Sequence, residues 1–420
     1  MFRWLVIDVT NLQMKILHIF YSTIPSASGG DIRSRDIIEG QARIGLDVLA
    51  LSSPFQPPAE QYAKMEQIGG ITYHRCFEHL SPLIISEHDQ GLAVKLKKAL
   101  KLCSFTKSVT DLATLEAPDV IHAHSMFFCL FAALPAARKL GVPVVYEVRS
   151  LWEERSAMVS PSLWHKLVRG VLRCMETWAM RMSDHVVVIS EGLRREVIAR
   201  GIAERQITLI GNAVSMHRVS GQRMTLVENH SSDWVFGYVG SLSEIEGLDL
   251  LIEAVKELRQ KGWMNAFRFY GDGPALADLK LKAEGVSGLT FHGAFKPEDA
   301  PEVYASLDVI VNPRRPSALA NKVTPLKPLE AMAWRKPVIV SSVAGMRELV
   351  CDGRTGVVFE AGSSKDLAKC LKMAVDKPAE LIALIEPAYL FVSRQRCWST
   401  NSKKYQKMYS NLVKKSILEE

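Results

Sequence analysis

The stretch VTPLKPLEAMAWRKPVIVS, residues 323–341, joins a short helical pattern to a β-branched run and so reads as a helix feeding a buried strand. With Thr324 as N-cap and Pro325 as the first helical residue, Lys327 falls in the first turn, where the helix dipole disfavours a cation. Lys327 and Glu330 are three apart and share a helix face. A surface ion pair is the ordinary reading of such a pair. The strand that follows, however, places this helix start near the middle of a sheet. There a lysine beside free amides would offset phosphates, and a carboxylate one turn on would accept hydrogen bonds from a hydroxyl pair such as that of a ribose. A nucleoside diphosphate is the anion that accounts for both.

Outward from this unit, strand-like runs alternate with helical patterns along the chain, the signature of parallel sheets built from βαβ units. The first series lies at residues 15–20, 46–52, 71–76, 119–124, 143–149, 184–190 and 207–212. The second lies at 234–242, 267–273, 289–295, 308–314, 337–342 and 355–360. The pattern predicts an N-terminal extension (1–13), a Rossmann-like domain (14–214), a polar linker (215–233) and a second Rossmann-like domain (234–395). A final helical stretch within 396–420, carrying Tyr405 and Tyr409, is expected to cross back to the first domain. Ligands of such sheets sit outside the carboxyl ends of the strands, so two sheets facing each other would leave a loop-lined cleft.

Bulk properties narrow the classes. The chain has 420 residues, 48% hydrophobic, enough for two sizeable cores. No apolar run approaches the roughly 20 residues of a membrane-spanning helix. The formal charge of +7 suits phosphate-bearing ligands or an anionic lipid surface but is too weak, without Lys/Arg blocks or RNP-like motifs, for nucleic acid. Seven scattered cysteines without Cys-x-x-Cys spacing argue against a disulfide framework or zinc site and for a reducing cytoplasm. No metal or cofactor is expected.

Three glycine turns follow strands. Gly29-Gly30 precedes a helix, Gly237, Gly240 and Gly247 surround the first turn of the second domain, and YGDGPAL (270–276) is the third. None matches a Walker loop or a Gly-x-Gly-x-x-Gly fingerprint, so ATPase and dehydrogenase readings lack their defining residues.

GSLSEIEGLDLLIEA (240–254), YGDGP, LTFHGAF, LEAMAWRKPVIVSSVAGMRELVCDGRTGVVF and DVIHAHS together resemble glycosyltransferase family 4 of the GT-B fold, over about residues 14–410. EGLDLL and TPLKPLEAMA further resemble a bacterial branch associated with exopolysaccharide and exosortase gene sets. The resemblance implies retaining, metal-independent transfer of a sugar from a UDP- or GDP-sugar to a hydroxyl. The absence of Asp-x-Asp agrees with metal independence. By motif, Glu330 would hold the donor ribose, Gly271 and Gly273 would flank the base, and His124 would touch the donor sugar near the reacting carbon. Gly240, Ser241, Lys327 and Leu329 complete the implied donor set. Gly29, Gly30, Arg149, Arg314 and Lys322 are expected to contact the diphosphate or the acceptor.

The departures are specific. The family's usual Arg and Lys in the first loop of the second domain are replaced by Ser241 and Glu246, and its first glutamate by Lys322. Lys327, Lys322, Arg314 and Arg315 would have to supply the missing charge. The same losses leave open a noncatalytic nucleotide-sugar-binding relative, and a sugar-nucleotide epimerase remains a third reading. Two segments are amphipathic and basic. In 91–105, Leu92, Leu96, Ala99 and Cys103 oppose Lys95, Lys98 and Lys101. In 163–182, Trp164, Leu167, Val171, Met175, Trp178 and Met182 oppose Lys166, Arg169 and Arg173. The first is expected to lie on anionic lipid and the second to cover the sheet. Peripheral attachment at the inner face of the membrane would suit a glycan or lipid-linked acceptor.

Overall fold

The computed structural model describes residues 13–24, 29–56, 63–76, 92–151, 153–154, 163–219 and 234–419. The chain forms two compact units: one comprises the chain to Val188, Val197–Thr208 and the segment from Ser402 onward, the other Ile189–Glu196 and Leu209–Asn401. All but the last residue of the expected extension (1–12 of 1–13) and most of the linker (220–233) lie outside the described residues.

The first sheet comprises β1 (Lys15–Phe20), β2 (Asp47–Ser52), β3 (Met65–Ile68), β4 (Ile71–Arg75), β5 (Val120–His124), β6 (Val144–Val148), β7 (His185–Val188) and β8 (Ile207–Leu209). Its order is β3-β4-β2-β1-β5-β6-β7-β8, with β1 paired in parallel to both β2 and β5. Strand order reverses across the β1–β5 pair, the switch point at which open α/β sheets bind ligands. Only β3 was not read from the sequence. It pairs antiparallel to β4, and Gly69 and Gly70, at φ 59° and 81°, make the two-residue turn between them. Positive φ at both turn positions is what a type I′ hairpin needs and glycine supplies without steric cost.

The second sheet comprises β9 (Phe236–Val239), β10 (Phe267–Tyr270), β11 (Leu289–Gly293), β12 (Val309–Asn312), β13 (Val338–Ser341) and β14 (Val357–Phe359). Its order is β11-β10-β9-β12-β13-β14, and among the described residues its strands pair in parallel throughout. Here the switch point lies between β9 and β12. Successive residues of the central strands alternate between two cores. Phe236, Tyr238, Val309, Val311 and Ile339 join one with the Leu248–Gln260 and Ser364–Asp376 helices. Val239, Ile310, Val338 and Val340 join the other with Leu329, Met332 and Val392. Both faces are therefore covered, which is why these strands read as continuous apolar runs rather than alternating ones. Each such side chain contributes about 1.5–3 kcal/mol by leaving water.

The opening stretch folds as a helix and strand, but the helix starts later than its sequence suggests. It spans Lys327–Ala333, with Leu326 at the cap and Pro328 inside the first turn. Thr324 precedes a proline, which disfavours helical geometry. It is instead buried, its carbonyl accepting from Asn212 Nδ2 at 2.6 Å and its hydroxyl donating to the Ile189 carbonyl at 3.4 Å. Among the described residues no helix is long and apolar enough to cross a membrane, and no disulfide joins any of the seven cysteines.

Candidate functional site

At the second unit's switch point the loops leaving β9 and β10 run side by side. Gly240 N–H donates to the Tyr270 carbonyl at 2.8 Å and Leu242 N–H to the Asp272 carbonyl at 2.9 Å. Gly240 has φ +139°, and a Cβ there would lie 2.2 Å from Cε of Lys327. Gly271, at φ +138°, would bring a Cβ within 1.9 Å of the Gly240 carbonyl oxygen. Only glycine lets these backbones close up and lets the lysine stem cross the first loop. Gly273 repeats the contact with the Leu242 carbonyl oxygen, at 2.3 Å.

The ammonium of Lys327 then lies 2.7 Å from Glu246 Oε1 and 5.3 Å from the centre of the Tyr238 ring. Glu246 is 5% exposed. Burial alone would raise its carboxyl, yet Lys327 and Arg314 hold it below the usual carboxylate range. Thus the residue that replaces the family's usual lysine holds the lysine that the sequence offered in its place. The other expected cations are also engaged. Lys322 Nζ is 3.0 Å from Glu196, and Arg315 pairs with Asp249. Arg314 donates to the Val323 carbonyl at 3.2 Å and keeps its Nε without a partner.

Further buried polar atoms of this unit have no hydrogen-bond partner: Glu246 Oε2 and both amide atoms of Asn312, the last residue of β12. Such groups cost about 1–3 kcal/mol each unless something pairs with them. Glu330 lies half-buried in the first turn after Lys327, whereas the Leu329 side chain is fully within the core. Any ligand contact of Leu329 therefore runs through its backbone. Ser241 is exposed, and its carbonyl accepts from the Tyr238 hydroxyl at 2.7 Å.

At the first unit's switch point His124 ends β5, and both its ring nitrogens are engaged. Arg149 Nη2 is 2.8 Å from His124 Nδ1, and His124 Nε2 is 2.9 Å from His18 Nδ1. A guanidinium only donates, so Nδ1 of His124 accepts and the proton sits on Nε2. His18 then accepts at Nδ1 and donates from Nε2 to Gln41 Oε1 at 3.0 Å. Gln41 Nε2 donates to the Tyr409 hydroxyl at 3.2 Å, which in turn donates to His122 Nδ1 at 2.6 Å. This leaves the His122 proton on Nε2, 3.7 Å from Glu147 Oε2. Glu147 Oε1 accepts from Arg149 Nε at 2.8 Å and Arg33 Nε at 3.0 Å, and Oε2 accepts from the Tyr405 hydroxyl. One consistent set of protons serves every hydrogen bond in this chain, which ends at His122 Nε2, buried without a hydrogen-bond partner.

Burial lowers all three imidazoles, His18 to about 4 and His122 and His124 well below their ordinary value. Burial opposes ionisation of Glu147, but Arg33 and Arg149 overcome it and hold the carboxyl well below the carboxylate range. One nitrogen from each histidine falls within 4.8 Å of the others, the geometry of a possible cation cage. The lone pairs of His18 Nδ1 and His124 Nδ1 are already committed to donors, and Arg149 stands beside them, so the trio is organised by hydrogen bonds. Arg149 also binds the start of the Gly29–Arg43 helix, donating to the Gly30 carbonyl at 3.0 Å and Ser34 Oγ at 2.7 Å. Gly29 begins that helix.

Several of these residues were not read from the sequence: His18, Arg33, Gln41, Glu147, Asn312 and the pairing role of Glu246. Charged residues inside YEVR and a histidine inside KILHIF were the available signals, because a buried strand tolerates them only when they are paired.

Two doubly wound parallel units, each with its polar residues gathered at a switch point, define the GT-B class of glycosyltransferase folds. Residues 233–377 match the family model described as "Glycosyl transferases group 1", and residues 28–213 match the "Glycosyl transferase 4-like domain". The chain belongs to the group 1 glycosyltransferases. It is 27% identical over 278 residues to the 2-deoxystreptamine glucosyltransferase of Streptomyces kanamyceticus, covering 63% of this chain and 69% of that one. With the GDP-mannose-dependent alpha-mannosyltransferase of Mycobacterium tuberculosis it shares 24% over 351 residues, 83% of this chain and 84% of that one. Anabaena HepE in complex with UDP has the same fold, with a TM-score of 0.68 at 17% identity over 95% of this chain and 100% of that one.

Proposed function

We propose that this glycosyltransferase transfers a sugar, with retention and without a metal ion, from a UDP- or GDP-sugar to a glycan or lipid-linked acceptor. The setting proposed is bacterial surface or exopolysaccharide synthesis at the cytoplasmic face of the membrane. The observation that carries the donor reading is the Lys327 ammonium lying across Gly240 beside the unpartnered polar atoms of Glu246, Arg314 and Asn312. Diphosphate oxygens would rest against Lys327 and Arg314, Glu330 would hold the ribose, and Gly271 and Gly273 would leave room for the base. Relatives that use GDP-mannose and neighbours that hold UDP support a nucleoside diphosphate without choosing the base.

In this reading the bond to the anomeric carbon loosens first, and catalysis consists of stabilising the departing diphosphate with preorganised charge and amides. The acceptor proton passes to the leaving phosphate. His124, with Nδ1 tied to Arg149, presents a fixed neutral ring near the reacting sugar. Incubation with a panel of nucleotide sugars, with and without membrane extract, tests the proposal through nucleoside diphosphate release and product mass. Acceptor-dependent release supports transfer. Donor binding without turnover would instead identify a binding protein, and conversion without acceptor an epimerase.

A further inference from the structure

The Leu163–Met182 helix of the first unit carries a single acidic residue, Glu176, which is buried and accepts from the Tyr146 hydroxyl at 2.6 Å. Ala179 and Met180 are buried with it. The other side does not cover the sheet, contrary to the reading of its sequence. Leu167 is 59% exposed, Val171 54% and Trp178 52%, and Cys174 between them is exposed too. At about 100° per residue these four positions fall within roughly 60° of one another, so they form one stripe. Trp178 packs against Phe131, the two rings tilted by 49° with centroids 4.8 Å apart.

Lys166, Arg169, Arg173 and Arg181, all exposed, run along one flank of the stripe. Three of them, with Gly170, Glu153 and Glu154, line a recess of about 330 Å³. Glu153 is itself paired with Arg200. A second copy of the chain is a poor occupant, because pairing this face with itself would bring the same cations together. An apolar stripe bordered by cations, with no exposed acid on its helix, is complementary to an anionic bilayer surface.

We propose that this face docks the protein on anionic lipid, with Leu167, Val171 and Trp178 at the acyl boundary and Lys166, Arg169 and Arg173 on headgroup phosphates. The proposal rests on the membrane-bound acceptor suggested above, and it moves the anchor away from the 91–105 segment. The side chains of Lys95, Lys97 and Lys98 lie outside the described residues.

Flotation of the full chain with vesicles of phosphatidylcholine, alone or with one third phosphatidylglycerol, tests it. Wild type is expected to float with the anionic vesicles and stay down with the neutral ones. Arg169→Gln/Arg173→Gln should lower partitioning about 30-fold, and Leu167→Ser/Val171→Ser/Trp178→Ser on the order of 100-fold. Reversing Lys95, Lys97, Lys98 and Lys101 should leave flotation unchanged. Circular dichroism and nucleotide binding confirm that each variant folds. Unchanged flotation of both helix variants, a wild type that ignores anionic vesicles, or a wild-type dimer dissolved by the triple serine variant would each overturn the proposal. Turnover with a soluble acceptor in the same preparations separates the two readings, since its loss with flotation intact counts against glycosyl transfer and leaves the docking face standing.

Discussion

Replacing Glu246 should tighten nucleotide binding, whereas replacing the lysine it holds should weaken it. The local charges are Lys327 (+1), Arg314 (+1) and Glu246 (−1), a sum of +1, which becomes +2 in Glu246→Gln. Two anions sharing one ammonium stand about 6 Å apart, and Coulomb's law at an effective dielectric of about 20 puts their repulsion at roughly 3 kcal/mol per unit charge. Screening and movement of the lysine leave about half of that, so Glu246→Gln should bind UDP or GDP about tenfold more tightly. Lys327→Met removes the shared cation and should weaken binding by about 30-fold. Arg315→Ala should do little, because that guanidinium is already committed to Asp249.

Stability should move differently. Lys327→Met strands a carboxylate that is 5% exposed and should cost about 3 kcal/mol. The double variant Lys327→Met/Glu246→Gln should recover most of that loss while still binding nucleotide weakly. Calorimetric titration with UDP and GDP, alongside urea unfolding, reads both quantities. If Glu246→Gln weakened nucleotide binding as much as Lys327→Met, the carboxylate would be a support for the lysine rather than a competitor for it, and the reasoning would fail.

The first unit yields two further predictions. Tyr409→Phe strands His122 Nδ1 and Gln41 Nε2, so urea unfolding should show a loss of about 2 kcal/mol and transfer kinetics a lower kcat at unchanged donor KM. Glu176 is pushed up to about 7 by burial, with the Tyr146 hydroxyl and Arg200 opposing. Its folded carboxyl holds a proton that the unfolded one, near 4.5, releases. The stability it contributes is therefore present below about 4.5 and lost as pH rises through about 7. Glu176→Gln should flatten this loss, of about 3 kcal/mol, when unfolding is compared at pH 5 and pH 8.

The strands of both sheets were legible because buried parallel strands are written as dense β-branched runs, and KILHIF, DVIVN and PVIVS leave little else to read. Their ends were less so. WVFGYVGSL looks like strand to residue 242, but β9 stops at Val239 because Gly240 turns to φ +139° to pass beneath Lys327. Thr324 looked like a cap because its side chain suits one; its hydroxyl and carbonyl are used by residues far away in sequence. The same limit hid the Glu246–Lys327 pair, for periodicity reports what a residue's neighbours along the chain do and says nothing of partners brought by the fold. The exposure of Leu167, Val171 and Trp178 is the converse case, since an amphipathic pattern shows that a helix has two faces without saying which of them the protein covers.

The polar circuit explains why a helix so late in the chain belongs to the first unit. Glu147 is fully buried and ionised, and a lone carboxylate in that position would cost several kcal/mol. Arg33 and Arg149 supply two charges against its one, so the cluster already carries +1 and would reach +2 if any imidazole were also protonated. Burial prevents that, and neutral imidazoles each need one donor and one acceptor in fixed places. Gln41 serves His18 Nε2, Tyr409 serves His122 Nδ1, and Tyr405 caps the remaining carboxylate oxygen. Tyr405 and Tyr409 lie one helical turn apart, so the Trp398–Glu419 helix delivers both hydroxyls to one buried cluster. Removing that helix would leave Glu147, His122 and Gln41 short of partners at once, and the orientation of His124 depends on the same chain of bonds.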